Sequence, residues 1–337
     1  MVMERLSTHT SRARRVSAAL TATAAVTIAL IPSSADAAPP RATGTAYTFA
    51  GTQVFPEGLD TDGRYVYSTS FADGTVYRGA AGGSTMRPFL PAGADGRTSA
   101  AGIRLSGDRL LVAGGMTGRF FVYTTSGRLV SSYVVPDAAG TPTLVNDAAI
   151  APNGDAYITD SYRPVVYRIP AAQIQGRPGA GVRTLTAAYD LPDYLAGQSN
   201  GNGIVATPDG RSLIVGYYES GALYKVDLRT GRVSPLALRA PLTSADGMLL
   251  FGHTLVVARA ATNEIDTLRL DSDYTRGTVT AVNTYPGVDT PTGIAVSRGR
   301  LLVTNSQLDT LFFGAPQTST TFTLGSIPFG RVIARPS

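Results

Sequence analysis

Glu57, Asn146, Asn202 and Asp246 each stand at the head of a short apolar run that leads into a turn, and each carries an oxygen donor. Carboxylate and amide oxygens converging from separate elements, with water completing the shell, are the donor set of a hard divalent cation such as calcium or magnesium. A cation so held polarises a carbonyl oxygen and acidifies bound water, and Asp246 is the candidate to orient or deprotonate that water. Asn and Asp also favour turns before strands, which is the competing account of three of these positions. Glu57 has no such turn preference, and two carboxylates on one axis repel each other unless a cation separates them.

The elements that must position these four residues repeat. Six segments fall into phase: "EGLDTDGRYVYSTS" from Glu57, "AGIRLSGDRLLVAGG" from Ala101, "NDAAIAPNGDAYITDS" from Asn146, "NGIVATPDGRSLIVGYY" from Asn202, "DGMLLFGHTLVVARA" from Asp246 and "TGIAVSRGRLLVTNS" from Thr292. Each is a residue usually followed by Gly, an apolar strand, a tight turn and a second strand. A third alternating run follows each pair, from "GTVYRG" in the first to "TLFFG" in the last, and a weaker fourth precedes the next repeat. Four short strands every ~45 residues predict an all-β fold, a six-bladed β-propeller with four antiparallel strands per blade. It spans residues 46–330 as one domain, because no single repeat buries its own face. Either "AYTFAGT" or "TTFTLGS" supplies the outer strand of the last blade.

This geometry puts Glu57, Ala101, Asn146, Asn202, Asp246 and Thr292 in a ring at one mouth of the central channel, with Ser70, Gly115, Asp160, Tyr217, Arg259 and Asn305 around it. Tyr217 and Arg259 are then candidate contacts for a hydroxylated or anionic substrate, with a surface salt bridge the competing account of Arg259. The gap before Asn202 is longer than the others by about one strand-and-turn and contains "GRPGAGVRTLTAAYDLPDYLAGQSNG". It predicts a loop over the mouth, a candidate substrate lid, and adds Tyr194 to the candidate substrate contacts. His253 is placed in a turn on the opposite face.

"PEGLD", "NGIVATPDGRSLIV" and "ADGMLL" resemble the motifs of the gluconolactonase family, the regucalcin-like (senescence-marker-protein-like) lactonases, across essentially the whole chain after its leader. The resemblance implies a secreted bacterial hydrolase opening a lactone or related ester. It implies Glu57, Asn202 and Asp246 as ligands of one divalent metal, with Asn146 as a further metal or substrate contact. Calcium is the first expectation, with magnesium, manganese or zinc as alternatives. Leu144 stands where the sugar-lactone members carry an arginine, and the aromatic residue that often follows the Glu motif is missing. The alternative class is a secreted, non-enzymatic propeller that binds protein, glycan or cell-wall material and keeps a structural metal. A lyase of cyclic esters needs a histidine near the metal, where His253 does not lie.

The composition narrows the field. Residues 1–37 read as a cleaved secretory signal: Arg5, Arg12, Arg14 and Arg15 form the basic region, Val16 to Ile31 the apolar core, and Ala35-Asp36-Ala37 the cleavage site. The apolar core is shorter than the ~20 residues of a membrane span. Export to the extracellular space and a flexible stretch over 38–45 follow, with no membrane partner after cleavage. The formal net charge of +5 is small for 337 residues, and no basic block occurs, so nucleic acid is not an expected partner. With no cysteine and two histidines, one of them in the leader, disulfides are excluded and His-rich metal sites nearly so.

Overall fold

In the computed structural model, residues 44–137 and 140–334 are described; the proposed signal segment and residues 38–43 lie outside them. The second strand of each run alternates side chains between two apolar neighbours, and this dictates the architecture. In Arg109–Ala113, Leu110 and Val112 enter one cluster with Tyr67 and Val76, while Leu111 and Ala113 enter another with Val145 and Ile158. A period-two strand apolar on both faces is a strand packed between two sheets.

Five sheets result. Three are four-stranded antiparallel meanders, led by Val145–Ile150, Gly201–Ala206 and Ala245–Phe251. A fourth, led by Ile103–Ser106, carries a fifth strand, Val182–Thr184, added parallel to Leu129–Val134. The largest has eight strands and consists of two antiparallel halves, led by Pro56–Thr61 and Pro291–Ser297. Among the described residues, the ladder runs from one half to the other where Thr48 and Phe49 pair in parallel with Thr85 and Met86. The N-terminal strand Gly44–Phe49 is outermost in the second half, antiparallel to Thr323–Pro328. Both termini therefore complete that half, which resolves the choice the sequence left open.

The leading strands touch one another in a closed cycle, from Pro56–Thr61 through Ile103–Ser106, Val145–Ile150, Gly201–Ala206 and Ala245–Phe251 to Pro291–Ser297 and back. Six apolar clusters lie between successive four-stranded runs in the same cyclic order. The glycine of the repeating dipeptide is what lets the leading strands come so close. A Cβ on Gly203 would lie 2.0 Å from the Asp246 carbonyl oxygen, on Gly247 2.3 Å from that of Thr292, and on Gly293 2.3 Å from that of Glu57. Gly58 and Gly102 face Ala101 and Asn146 in the same way.

Two sequence expectations are corrected here. "TLFFG" is not the third strand of the last run: Leu308–Phe313 is a short helix, and Thr323–Pro328 takes the strand position. The long gap before Asn202 is not wholly a lid either. Its first part supplies Val182–Thr184 to the neighbouring sheet, and Thr186–Asp190 is the fourth strand of its own run. Only the segment from Leu191 to Asn200 remains to approach the mouth.

Candidate functional site

A β-bulge aims the side chains at the head of five leading strands. The pairing skips between Pro56 and Leu59, Val145 and Ala148, Gly201 and Ile204, Ala245 and Met248, and Pro291 and Ile294. The skipped residues begin with Glu57, Asn146, Asn202, Asp246 and Thr292, the ring positions of the sequence repeat. Bulges re-aim a side chain and free backbone groups from the ladder. In three runs a threonine of the second strand takes up the freed amide: Thr69 Oγ1 accepts from Gly58 N at 2.8 Å, Thr159 Oγ1 from Asp147 N at 3.2 Å and Thr304 Oγ1 from Gly293 N at 2.8 Å.

All five bulge side chains line one cavity of ≈ 210 Å³; Ala101, at the sixth position, does not. Glu57, Asn146, Asn202 and Asp246 are each at most 6% exposed. Asn146 Nδ2 donates to Ser161 Oγ at 2.9 Å, and Ser161 Oγ donates to the Gly201 carbonyl. The Oδ1 atoms of both Asn146 and Asn202 are buried with no hydrogen-bond partner. Burial, then the charges of Asp246 and Asp147, push the Glu57 carboxyl well above its ordinary range. Burial and Asp147 push Asp246 up to about 8, against hydrogen bonds from Gly247 N and the Asn202 side chain.

Two buried acids and two unpartnered amide oxygens in one cavity form an all-oxygen donor set suited to a hard divalent cation. Among the described residues no three His, Cys, Asp or Glu side chains gather as a metal-binding group. A cation here therefore relies on the amide oxygens and on water.

The remaining expected contacts go elsewhere. Tyr217 pairs with Gly201 in the ladder, but its side chain is buried between sheets, against Tyr224, and its hydroxyl donates to the Pro192 carbonyl at 2.6 Å. Arg259 pairs with Glu264 at 3.1 Å and Asp266 at 3.3 Å and donates to Thr243. Tyr194 donates to the Tyr162 carbonyl at 2.8 Å. None of the three lines the cavity. His253 stacks on Tyr274, also away from it.

In their place stand residues the sequence reading passed over. Tyr218 and Glu219 follow the strand that ends at Tyr217, and they line the cavity. Burial and the charges of Asp246, Glu219 and Asp309 hold the Tyr218 hydroxyl protonated far above neutral pH. Leu308, Asp309, Phe312 and Phe313 come from the helix read as a strand. Gly197 and Ser199 come from the 191–200 segment, where Asn200 accepts from Leu195 N and donates to the Gln198 carbonyl.

Solved structures share this fold over most of their length. The chain is similar to the allergen Mala s 1 of Malassezia sympodialis (TM-score 0.58, 14% identity, 84% of this chain and 95% of that one). It is similar to regucalcin, a calcium-binding protein, of Agrobacterium tumefaciens (0.52, 20%, 83% and 96%). It also resembles virginiamycin B lyase of Staphylococcus aureus (0.53, 14%, 81% and 80%). The fold is a β-propeller. At these identities the likeness reaches the propeller fold and no further. No family model and no curated protein matches the chain. What this propeller does must therefore be argued from its own cavity.

Proposed function

We propose that the chain is a six-bladed propeller, the eight-stranded sheet being two blades, and that it hydrolyses a lactone or related ester at the mouth of its axis with a bound divalent metal. The observation that carries this reading is the pair of buried, unpartnered amide oxygens of Asn146 and Asn202 beside the buried acids Glu57 and Asp246. These four residues are the proposed metal ligands, with calcium the first choice for an all-oxygen set. When bound, the metal supplies Lewis-acid polarisation and acidified water.

The chain's own residues do the rest. Asp246, buried at the cavity floor, orients the attacking water, takes its proton and returns it to the leaving oxygen. Water adds across the acyl C–O bond to give an acid and an alcohol, with no co-reactant. Tyr218 stays protonated and donates a hydrogen bond to the substrate. The apolar wall formed by Phe71, Leu144 and Leu308 excludes bulk water. We further propose that residues 1–37 direct export, with cleavage after Ala37; N-terminal sequencing of protein recovered outside the cell tests this.

The activity test is a panel of lactones and esters assayed with calcium and with chelator. Turnover that disappears with chelator and in Asp246→Asn is expected. Tight metal binding with no turnover on any member points instead to a binding propeller with a structural metal.

A further inference from the structure

The cavity wall carries a chemical preference that the four proposed ligands do not set. Apart from those ligands, the lining divides into two kinds. Glu219 and Asp309 add carboxyl groups, while among the described residues no Arg, Lys or His lines the cavity. The other kind is aromatic: the Phe71 and Phe312 rings lie 5.1 Å apart, and Phe313 follows at 6.3 Å from Phe312. Phe313 is 71% exposed and Phe312 38%, and both line the cavity.

These rings are held in place rather than trailing from a loose loop. The helix Leu308–Phe313 starts after Gln307 and stops at Gly314, both in the left-handed region. Gln307 Oε1 accepts from Thr318 N at 2.9 Å and Ser319 N at 3.0 Å, closing the segment on itself. Asp309 Oδ1 accepts from Thr290 Oγ1 at 3.1 Å, tying the helix to the bulged strand next to Thr292. Three aromatic faces fixed at the mouth of a polar floor form a site for an apolar ring. A cavity of ≈ 210 Å³ is below the ~300–1,000 Å³ of pockets for drug-sized ligands, so the ligand is small.

We propose that this cavity selects small, uncharged lactones or esters that carry an aromatic or alkyl substituent, seated against Phe71, Phe312 and Phe313, and rejects polyhydroxylated or anionic ones. The inference names the substrate class of the hydrolase proposed above and rests on that reading. A hydroxyl turned toward Phe71, Phe312 and Phe313 loses its water and finds no partner on the rings. Anionic ones meet carboxyl groups with no cation from the chain. The same carboxyl groups favour departure of the acid produced by hydrolysis.

The test separates binding from turnover. Calorimetry on the mature chain with calcium compares phenyl-substituted γ-butyrolactam with a polyhydroxylated γ-lactam, both uncleavable. The phenyl lactam is expected to bind at least about tenfold tighter, and Phe312→Ser and Phe313→Ser each to remove most of that preference. Phe313 is so exposed that its variant folds as the parent does. Equal or tighter binding of the hydroxylated lactam, absence of binding by either, or a preference untouched by both substitutions overturns the proposal. The matching lactones are then assayed for turnover: a retained binding preference without hydrolysis keeps the apolar-ligand inference and removes the hydrolase reading.

Discussion

The Arg104 guanidinium meets the Asp147 carboxylate at 2.8 Å, with both side chains largely buried. Asp147 follows Asn146 at the position where five of the six repeats carry glycine. Its carboxylate also accepts from Ala148 N and Ile204 N, and its charge raises the proton affinity of both Glu57 and Asp246. Removing one partner of a buried pair leaves an uncompensated charge and costs about 3–5 kcal/mol. Arg104→Met is therefore expected to lower stability strongly in urea unfolding. The double variant Arg104→Met/Asp147→Gly, which installs the glycine of the other repeats, is expected to recover much of the loss. Equal stabilities of the single and double variants would show that the pair is not what fixes this position.

Gly203 and Gly247 hold ordinary backbone angles, so their constraint is steric. A Cβ at either would come within 2.0 Å or 2.3 Å of a neighbouring carbonyl oxygen. Gly203→Ala and Gly247→Ala are expected to destabilise by about 1–3 kcal/mol or more through forced separation of the leading strands. Gly330, with nothing within 4 Å of its built Cβ, is the control. Its alanine variant is expected to keep the parent melting temperature. The comparison is read by thermal unfolding, and indifference to alanine at Gly247 contradicts a tightly closed ring.

The repeat was legible because the close approach of the leading strands places glycine after five of the six ring residues and because sandwiched strands must alternate apolar side chains. The ring residues were legible for the same reason: they share one phase, and the bulge sits at that phase. What the sequence hid was set by local geometry. The phase of the second strand marks Tyr217 as the residue across the ladder from Gly201, yet the side chain at that point turns between the sheets and the next one, Tyr218, turns to the cavity. "TLFFG" is as apolar as a strand, and only the left-handed Gln307 and Gly314 at its ends mark a helix. For Arg259 the ion pair, not the substrate contact, is what the fold shows, with partners Glu264 and Asp266 supplied across a hairpin. The Tyr217-Tyr218 doublet was the available signal, since side chains that alternate along a strand send its two rings in different directions.

Tyr217 and Tyr218 separate structure from chemistry by one residue. Tyr218→Phe removes a protonated donor from the cavity and is expected to lower turnover about ten- to a hundredfold. Tyr217→Phe loses the hydrogen bond to Pro192 and is expected to cost about 1 kcal/mol of stability with turnover unchanged. Steady-state kinetics and urea unfolding on both variants check this, and the reverse pattern would place the working tyrosine at 217.

Asp246 titrates near pH 8 in the metal-free fold and near ~3.9 in the unfolded chain. Between those values the folded state binds more protons, so stability falls as pH rises through the window and levels off above it. Glu57 acts in the same direction. A divalent cation binds the ionised acids, so its stabilising effect grows over the same window. Melting temperatures at pH 5, 6.5 and 8 are expected to decline in chelator and to diverge upward with calcium, most at pH 8. A gap between the two conditions that does not change with pH contradicts the assignment.

Calorimetric titration of the mature, chelator-treated chain with calcium tests the central claim most directly. The account predicts one divalent ion per chain, with affinity reduced by at least about tenfold in Glu57→Gln and in Asp246→Asn, since each loses a charged ligand of a hard cation, and reduced in Asn202→Ala. Absence of binding by calcium, magnesium, manganese and zinc alike, or binding that all three substitutions leave intact, contradicts it.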